Sequence, residues 1–94
     1  MATALTVKYQ KKEKMPHHME ERTTALFNST DTQGTLTTGI LIASQIQIQG
    51  VNMADISYPV VTAVGGVYAL NGKLTIARNA GTSAGEINVL IKGA

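Results

Sequence analysis

The side chains best suited to chemistry are concentrated between residues 8 and 22. Both histidines of the chain, His17 and His18, lie there beside Glu20 and Glu21. On a helix His17 and Glu21 would be four residues apart on one face, as two ligands of a metal ion are in many sites. A metal site needs three or four converging ligands, and the sequence suggests no further partner. We therefore predict a solvated polar segment that holds no metal and no cofactor.

The sequence shows none of the patterns that nucleophilic catalysis or phosphate binding requires. It contains no G-x-S-x-G elbow, and it has no cysteine to serve as a thiol nucleophile or thiolate ligand. Gly65-Gly66 leads into a predicted strand, whereas a phosphate loop precedes a helix N-terminus. We predict from this that the protein is not an enzyme.

Basic residues mark the same segment as a contact surface for a partner. The predicted contact residues are Lys8, Tyr9, Lys11, Lys12, Lys14 and Arg22. Such a set could grip phosphates, but three glutamates dilute its charge and no set of stacking aromatic residues accompanies it. Nucleic-acid binding is therefore the alternative, and pairing with an acidic protein surface is the prediction.

Charge divides the chain into two predicted parts, a charged N-terminal arm of residues 1–28 and a β-domain of residues 29–94. From residue 23 onward the chain carries three basic and three acidic side chains on 72 residues. A free monomer usually has a far more charged surface, about a quarter to a third Lys, Arg, Glu and Asp. We expect much of this surface to face other protein, and we expect a homo-oligomer because the core is aliphatic and thin.

The elements that position these residues are strands. Asn71-Gly72 lies between two β-forming runs and predicts a two-residue type I′ turn, with positive φ at both positions. The predicted hairpin pairs Ala69 with Leu74, Tyr68 with Thr75, and Val67 with Ile76. It turns Leu74 and Ile76 to the core, and a further strand, Glu86 to Ile91, completes a β-meander.

Alternation also predicts strands earlier in the chain. Apolar residues occupy even positions from Leu36 to Ile48, with a break expected near Gly39 or Ala43-Ser44. Pro16 and a weak apolar stripe predict one short helix from Pro16 to Phe27. The expected fold is mainly all-β: a small antiparallel β-sandwich or a partly closed β-barrel with an N-terminal arm.

The sequence gives no sign of a membrane protein. It opens without the pattern of a secretory signal, and its longest nearly apolar run falls short of the about 20 residues that a spanning helix needs. We expect no membrane span and a cytosolic origin.

The layout of the chain resembles that of small structural proteins of tailed-phage particles, especially capsid decoration (cement) proteins. The resemblance rests on a charged arm, Lys8 to Arg22, ahead of a cysteine-free β-domain rich in Thr, Gly, Ala and Ile, Thr35 to Ala94. It implies a β-rich module, often trimeric, that sits on the outer capsid of the virion between major capsid subunits and reinforces the shell. A tail or head–tail component fits the same features, and a small nucleic-acid-binding β-barrel is the rival from another class.

Overall fold

The computed structural model describes residues 3–28, 32–51, 57–61, 63–65, 67–78 and 84–94. These residues form ten strands in two sheets and no helix, which confirms the predicted β-sandwich, and they do not close into a barrel. The strands are β1 (Thr3–Ala4), β2 (Thr6–Lys14), β3 (Met19–Phe27), β4 (Gln33–Thr37), β5 (Ile42–Gly50), β6 (Ser57–Val60), β7 (Ala63–Val64), β8 (Val67–Ala69), β9 (Lys73–Arg78) and β10 (Gly85–Gly93).

The strands are divided between a four-stranded and a six-stranded sheet. The four-stranded sheet has the order β1-β4-β9-β6, and the six-stranded sheet has the order β2-β3-β10-β5-β8-β7. All pairs are antiparallel except β1 with β4. The pairing of β3 with β10 extends over nine residues of each strand, so the last described strand lies inside the larger sheet.

The core lies between the two sheets and follows the period-2 pattern of the strands. Phe27 is fully buried, as are Leu74 and Ile76 of β9 and Ile87 and Ile91 of β10. Burying each such side chain stabilises the fold by about 1.5–3 kcal/mol. The prediction that Leu74 and Ile76 face the core is therefore confirmed.

The predicted helix from Pro16 to Phe27 is wrong, because this stretch forms a tight turn and then β3. The Met15 N–H donates to the His18 carbonyl over 2.8 Å, so Pro16 occupies a turn position, which its fixed φ also suits. Within β3 the odd-numbered residues 21 to 27 are buried. The alternation of buried and exposed residues favours a strand, and pairing with β2 on one side and β10 on the other stabilises it. Together these outweigh the weak apolar stripe that favoured a helix.

The segment predicted as a charged arm is built into the sandwich. Most of residues 8–22 lie in β2 and β3, and β3 has β10 as its other neighbour. β2 is an edge strand of the six-stranded sheet. The sheet thus continues from residues of the predicted arm into residues of the predicted β-domain.

The turn at Asn71-Gly72 has the predicted backbone but not the predicted role. Its φ angles are 55° and 85°, and the Lys73 N–H donates to the Leu70 carbonyl over 3.1 Å, as in a type I′ turn. However, β8 pairs with β5 and β7, whereas β9 pairs with β4 and β6. The predicted hairpin register and the β-meander are therefore wrong, and the turn carries the chain from one sheet to the other.

Two sets of contacts account for this crossing. The N–H groups of Leu70 and Asn71 donate to the Leu41 carbonyl over 2.8 and 3.2 Å, which holds the end of β8 at the corner after β4. Beyond the turn, Leu74 pairs with Leu36, and both leucines are fully buried.

The expected break near Gly39 is also present, since β4 ends at Thr37 and β5 begins at Ile42.

The described residues contain no helix that is long and apolar enough to cross a membrane.

Candidate functional site

The outer face of the six-stranded sheet, here called the polar face, carries most of the charged and amide side chains. A β-bulge between Val7 and Tyr9 leaves Lys8 without a partner residue on β3. A bulge of this kind re-aims side chains. As a result Lys8 reaches across to β10, where its Nζ lies 2.7 Å from Glu86 Oε1, and Tyr9 lies beside Thr24 on the polar face.

The strand register arranges the polar face in transverse rows. One row consists of Tyr9, Thr24, Asn88 and Gln49, and the next consists of Lys11, Arg22, Leu90 and Gln47. A third row, of Glu13, Glu20, Lys92 and Gln45, closes the face on one side. Each row crosses four strands, which at about 4.8 Å per step spans about 14 Å.

The first two rows enclose a concavity of about 580 Å³, which we call the polar basin. It is lined by Tyr9, Arg22, Thr23, Thr24, Gln47, Ile48, Gln49, Asn88, Val89 and Leu90. Its volume falls in the range of about 300–1,000 Å³ that is typical of small-molecule sites. In the first row the short Thr24 and Asn88 side chains lie between the longer Tyr9 and Gln49, which together with the twist of the sheet accounts for the hollow.

One hydrogen bond fixes the centre of the polar basin. Thr24 Oγ1 donates to Asn88 Oδ1 over 2.9 Å. With its oxygen engaged, the Asn88 amide has its NH₂ group, and therefore two donors, available to a ligand. The sheet thus presents an oriented donor at the middle of the first row.

The row that borders the polar basin is held by ionic contacts. Glu20 Oε1 lies 3.4 Å from His18 Nε2 and 3.6 Å from Lys92 Nζ. The hydrogen bond from His18 lowers the pKa of Glu20, and Lys92 and Arg22 lower it further, against a smaller opposing effect of desolvation. Glu20 is therefore ionised at neutral pH and offsets the positive charge around it.

The six predicted contact residues do not form one surface. Lys8, Tyr9, Lys11 and Arg22 lie on the polar face, and Tyr9 and Arg22 line the basin. Lys12 and Lys14 lie on the opposite side of β2, where the alternation of the strand places them. The Lys12 side chain lies against Gly39, since a Cβ atom at Gly39 would be 2.8 Å from Lys12 Nζ.

The amide residues of the basin were not predicted as site residues. The alternation of Gln45, Gln47 and Gln49 with isoleucines predicts one polar face for that strand, as the structure confirms. The sequence does not show that β10 lies next to this strand and β3 next to β10, because these pairings join residues about 40 to 75 positions apart.

The outer face of the four-stranded sheet has a different character, and we call it the neutral face. Its described residues are Ala4, Gln33, Thr35, Thr37, Tyr58, Val60, Lys73, Thr75 and Ala77. Among these Lys73 alone carries a charge at neutral pH. Tyr58 and Val60 on β6 are 46% and 48% exposed, so two large apolar side chains lie open on a face of threonines and alanines.

Buried polar groups elsewhere have structural roles. Glu21 accepts a hydrogen bond from the Gly39 N–H over 2.9 Å and so ties β3 to the corner after β4. The Arg78 guanidinium lies 4.9 Å from the centre of the Phe27 ring and donates to the Asn28 carbonyl. No group of three or more potential metal ligands occurs in the part of the chain that the structure describes.

Comparisons with known proteins give no relative for this chain. No family model, no curated protein and no solved structure matches it. The function is therefore inferred from the two sheet faces.

Proposed function

We propose that this protein is a structural subunit of a larger protein assembly, of the capsid decoration (cement) type, and that it docks through the neutral face. The observation that carries the proposal is the near absence of charge among the described residues of that face, together with the exposure of Tyr58 and Val60. Burying unpaired charges is costly, whereas hydroxyl and amide groups keep hydrogen bonds when a partner covers them.

The composition of the neutral face suits a protein interface. The cores of such interfaces are depleted in charged residues and enriched in aromatic ones. Tyrosine is among the residues that contribute most to binding. Tyr58, on the short β6 with Val60 two residues further on, is the candidate anchor.

Two classes of partner fit this surface. A second copy of the chain would give the homo-oligomer expected from the sequence, and a major capsid or other virion protein would give attachment to the shell. The neutral face accommodates either, because with Lys73 as the one charge among its described residues a partner has almost no pattern of charge to match. In this proposal the protein is located in the virion.

The contacts of the β2 lysines indicate that these residues protect the sheet edge from pairing with other sheets, and do not bind nucleic acid. Lys8 is paired with Glu86, and Lys11 lies 3.4 Å from Glu13, so their charges are offset. Lysines along an edge strand are a common device that prevents one sheet from pairing with another. We therefore do not put forward the nucleic-acid alternative as a second function.

Self-association is tested with a charge placed on the neutral face. We expect light scattering to show an oligomer for the wild type at high micromolar concentration and a monomer for Val60→Glu, since each copy would bury a carboxylate. Gln45→Glu is the matched control on the polar face and should leave the oligomer unchanged. Circular dichroism verifies that both variants fold.

Attachment is tested separately, by immunogold labelling of particles purified from the source of the protein. Label on the capsid shell is the expected result. Label confined to the tail, or no label on particles, would refute the decoration role. A wild type that stays monomeric and unattached would refute the proposal that the neutral face is an interface.

A further inference from the structure

We propose that the polar basin binds a neutral oligosaccharide. The basin lies on the opposite side of the sandwich from the neutral face, so this second role is compatible with docking through the neutral face but does not depend on it. The site is assembled from four adjacent strands of one sheet, β2, β3, β10 and β5. The register of these strands fixes the backbone positions from which the side chains project, which lowers the entropic cost of binding.

The chemistry of the lining residues matches the hydroxyl groups of a sugar. Each sugar hydroxyl both donates and accepts a hydrogen bond. The amides of Gln47 and Gln49 offer both functions on one planar group, and Asn88 adds the two donors of its NH₂ group. Arg22 adds a fork of donors beside them. Planar groups with neighbouring hydrogen-bonding atoms can engage two adjacent hydroxyls at once.

The basin also offers apolar contacts for the C–H surfaces of a sugar ring. Tyr9 stands at one end of the first row and is 55% exposed, so its ring can lie against a sugar while its hydroxyl remains in water. Leu90 lies in the second row, between Arg22 and Gln47. A polar row flanked by an aromatic ring and a leucine suits a ligand that is polar at its edges and apolar on its faces.

The balance of charge around the basin favours a neutral ligand. On one side lies the ion pair of Lys8 with Glu86, and on the other Glu20 lies close to Lys92. A nucleic acid would require several cations for its phosphates and several aromatic rings for its bases. The basin lining includes one cation, Arg22, and one aromatic residue, Tyr9.

The shape of the basin indicates a short chain of sugars and not a single one. Its rows span about 14 Å across four strands, and its volume is about 580 Å³. The first row offers hydrogen-bonding groups along its whole length, from Tyr9 to Gln49. An oligosaccharide lying across the strands would contact them in sequence.

Nuclear magnetic resonance titration of the full chain tests this inference. The probes are maltohexaose, cellohexaose, xylohexaose, mannohexaose and chitohexaose, each added to ¹⁵N-labelled protein. We expect saturable shifts of the side-chain amide signals of Asn88, Gln47 and Gln49 with at least one of them. Gln33, on the neutral face, is the internal reference and should not shift.

Two variants and one control assign the binding to the basin. Asn88→Ala should weaken binding about tenfold, the effect of losing roughly 1.4 kcal/mol of hydrogen bonding. Asn88→Asp keeps the size of the side chain but removes both donors, and it should weaken binding similarly. Gln45→Ala, in the bordering row of the same face, should bind like the wild type. The backbone spectrum shows whether each variant is folded.

The titration separates the proposal from its rivals. Binding of a neutral probe should persist at high salt, because no ion pair forms. If none of the five probes gives saturable shifts, the proposal is wrong. It is equally wrong if the basin signals shift only with oligo(dT) or heparin and return at high salt, since the site would then recognise anions.

Discussion

Gly93 occupies a position where even one methyl group should disrupt the sandwich. It pairs with Ala43 at the register shift between β10 and β5. A Cβ atom at Gly93 would overlap the carbonyl oxygen of Ile42, and it would lie 2.8 Å from Ala43 Cα and 2.9 Å from the Ile42 carbonyl carbon. All three atoms belong to the backbone, so no change of rotamer can relieve the contact.

The expected cost of Gly93→Ala follows from these contacts. Overpacking of a tight site costs about 1–3 kcal/mol. Separating the strands would also weaken the hydrogen bonds between Ala94 and the segment Leu41-Ile42, three bonds of 2.9–3.2 Å, each worth about 1 kcal/mol net. We expect a loss of about 2–4 kcal/mol from a total near 5–15 kcal/mol.

Thermal unfolding followed by circular dichroism measures this loss. For a domain of this size each kcal/mol lowers the Tm by about 4–8 °C, so Gly93→Ala should melt at least about 8 °C below the wild type. Gly39→Ala is the control, because the nearest atoms to its Cβ would belong to the flexible Lys12 side chain and not to the backbone. Its effect should stay within about 0.5 kcal/mol. Equal melting temperatures for Gly93→Ala and Gly39→Ala would refute the argument that the close backbone of Ile42 and Ala43 excludes a side chain at position 93.

Three further predictions concern the turn at Asn71-Gly72, the carboxylate of Glu20 and the edge strand β2. Gly72→Val should lose about 1–3 kcal/mol in thermal melts, because φ is +85° there, whereas Gly72→Asn should lose less; equal losses would exclude backbone strain. The pKa of Glu20 is held below its ordinary 4.5, so the carboxylate stabilises the fold above about pH 4.5 and this contribution disappears as the pH falls through the lowered pKa. The Tm gap between wild type and Glu20→Gln should therefore be wider at neutral than at acidic pH, and a gap that does not change with pH would contradict the ionic contacts of Glu20. Replacing Lys11 and Lys12 together by Thr should speed aggregation in turbidity assays, because edge lysines discourage strand pairing; Lys92→Thr, on the inner strand β10, should aggregate like the wild type.

The local backbone was predictable from the sequence where local chemistry determines it. Asn71-Gly72 predicted its own positive φ values, and alternation predicted the strand that carries Gln45, Gln47 and Gln49. Both signals depend on residues close together in the chain, and both are confirmed.

The pairing of strands was not predictable from the same signals. A type I′ turn usually joins two paired strands, but here the buried pair Leu36 and Leu74 and the hydrogen bonds to Leu41 direct β8 and β9 into different sheets. The helix prediction failed for a related reason, since pairing with β10 determines the state of Met19–Phe27. Contacts between residues far apart in the chain therefore determined both outcomes.

The candidate basin shows the same limit. Its polar residues come from four strands, and only Tyr9 and Arg22 were marked by the sequence as site residues, because they lie in the basic segment. Thr24 and Asn88 form the central hydrogen bond although 64 positions separate them. No pattern within either strand indicates that contact.

The central position of β10 has a consequence for biosynthesis. β10 lies between β3 and β5 and is the last of the described strands to be translated. Until residue 93 has been added, the nascent chain can form no more than a sheet with an open slot between β3 and β5. During that interval two strands expose unpaired backbone groups, which is when association with other chains is most hazardous. Holding factors that bind extended hydrophobic segments should therefore improve the yield of folded protein more during translation than after it.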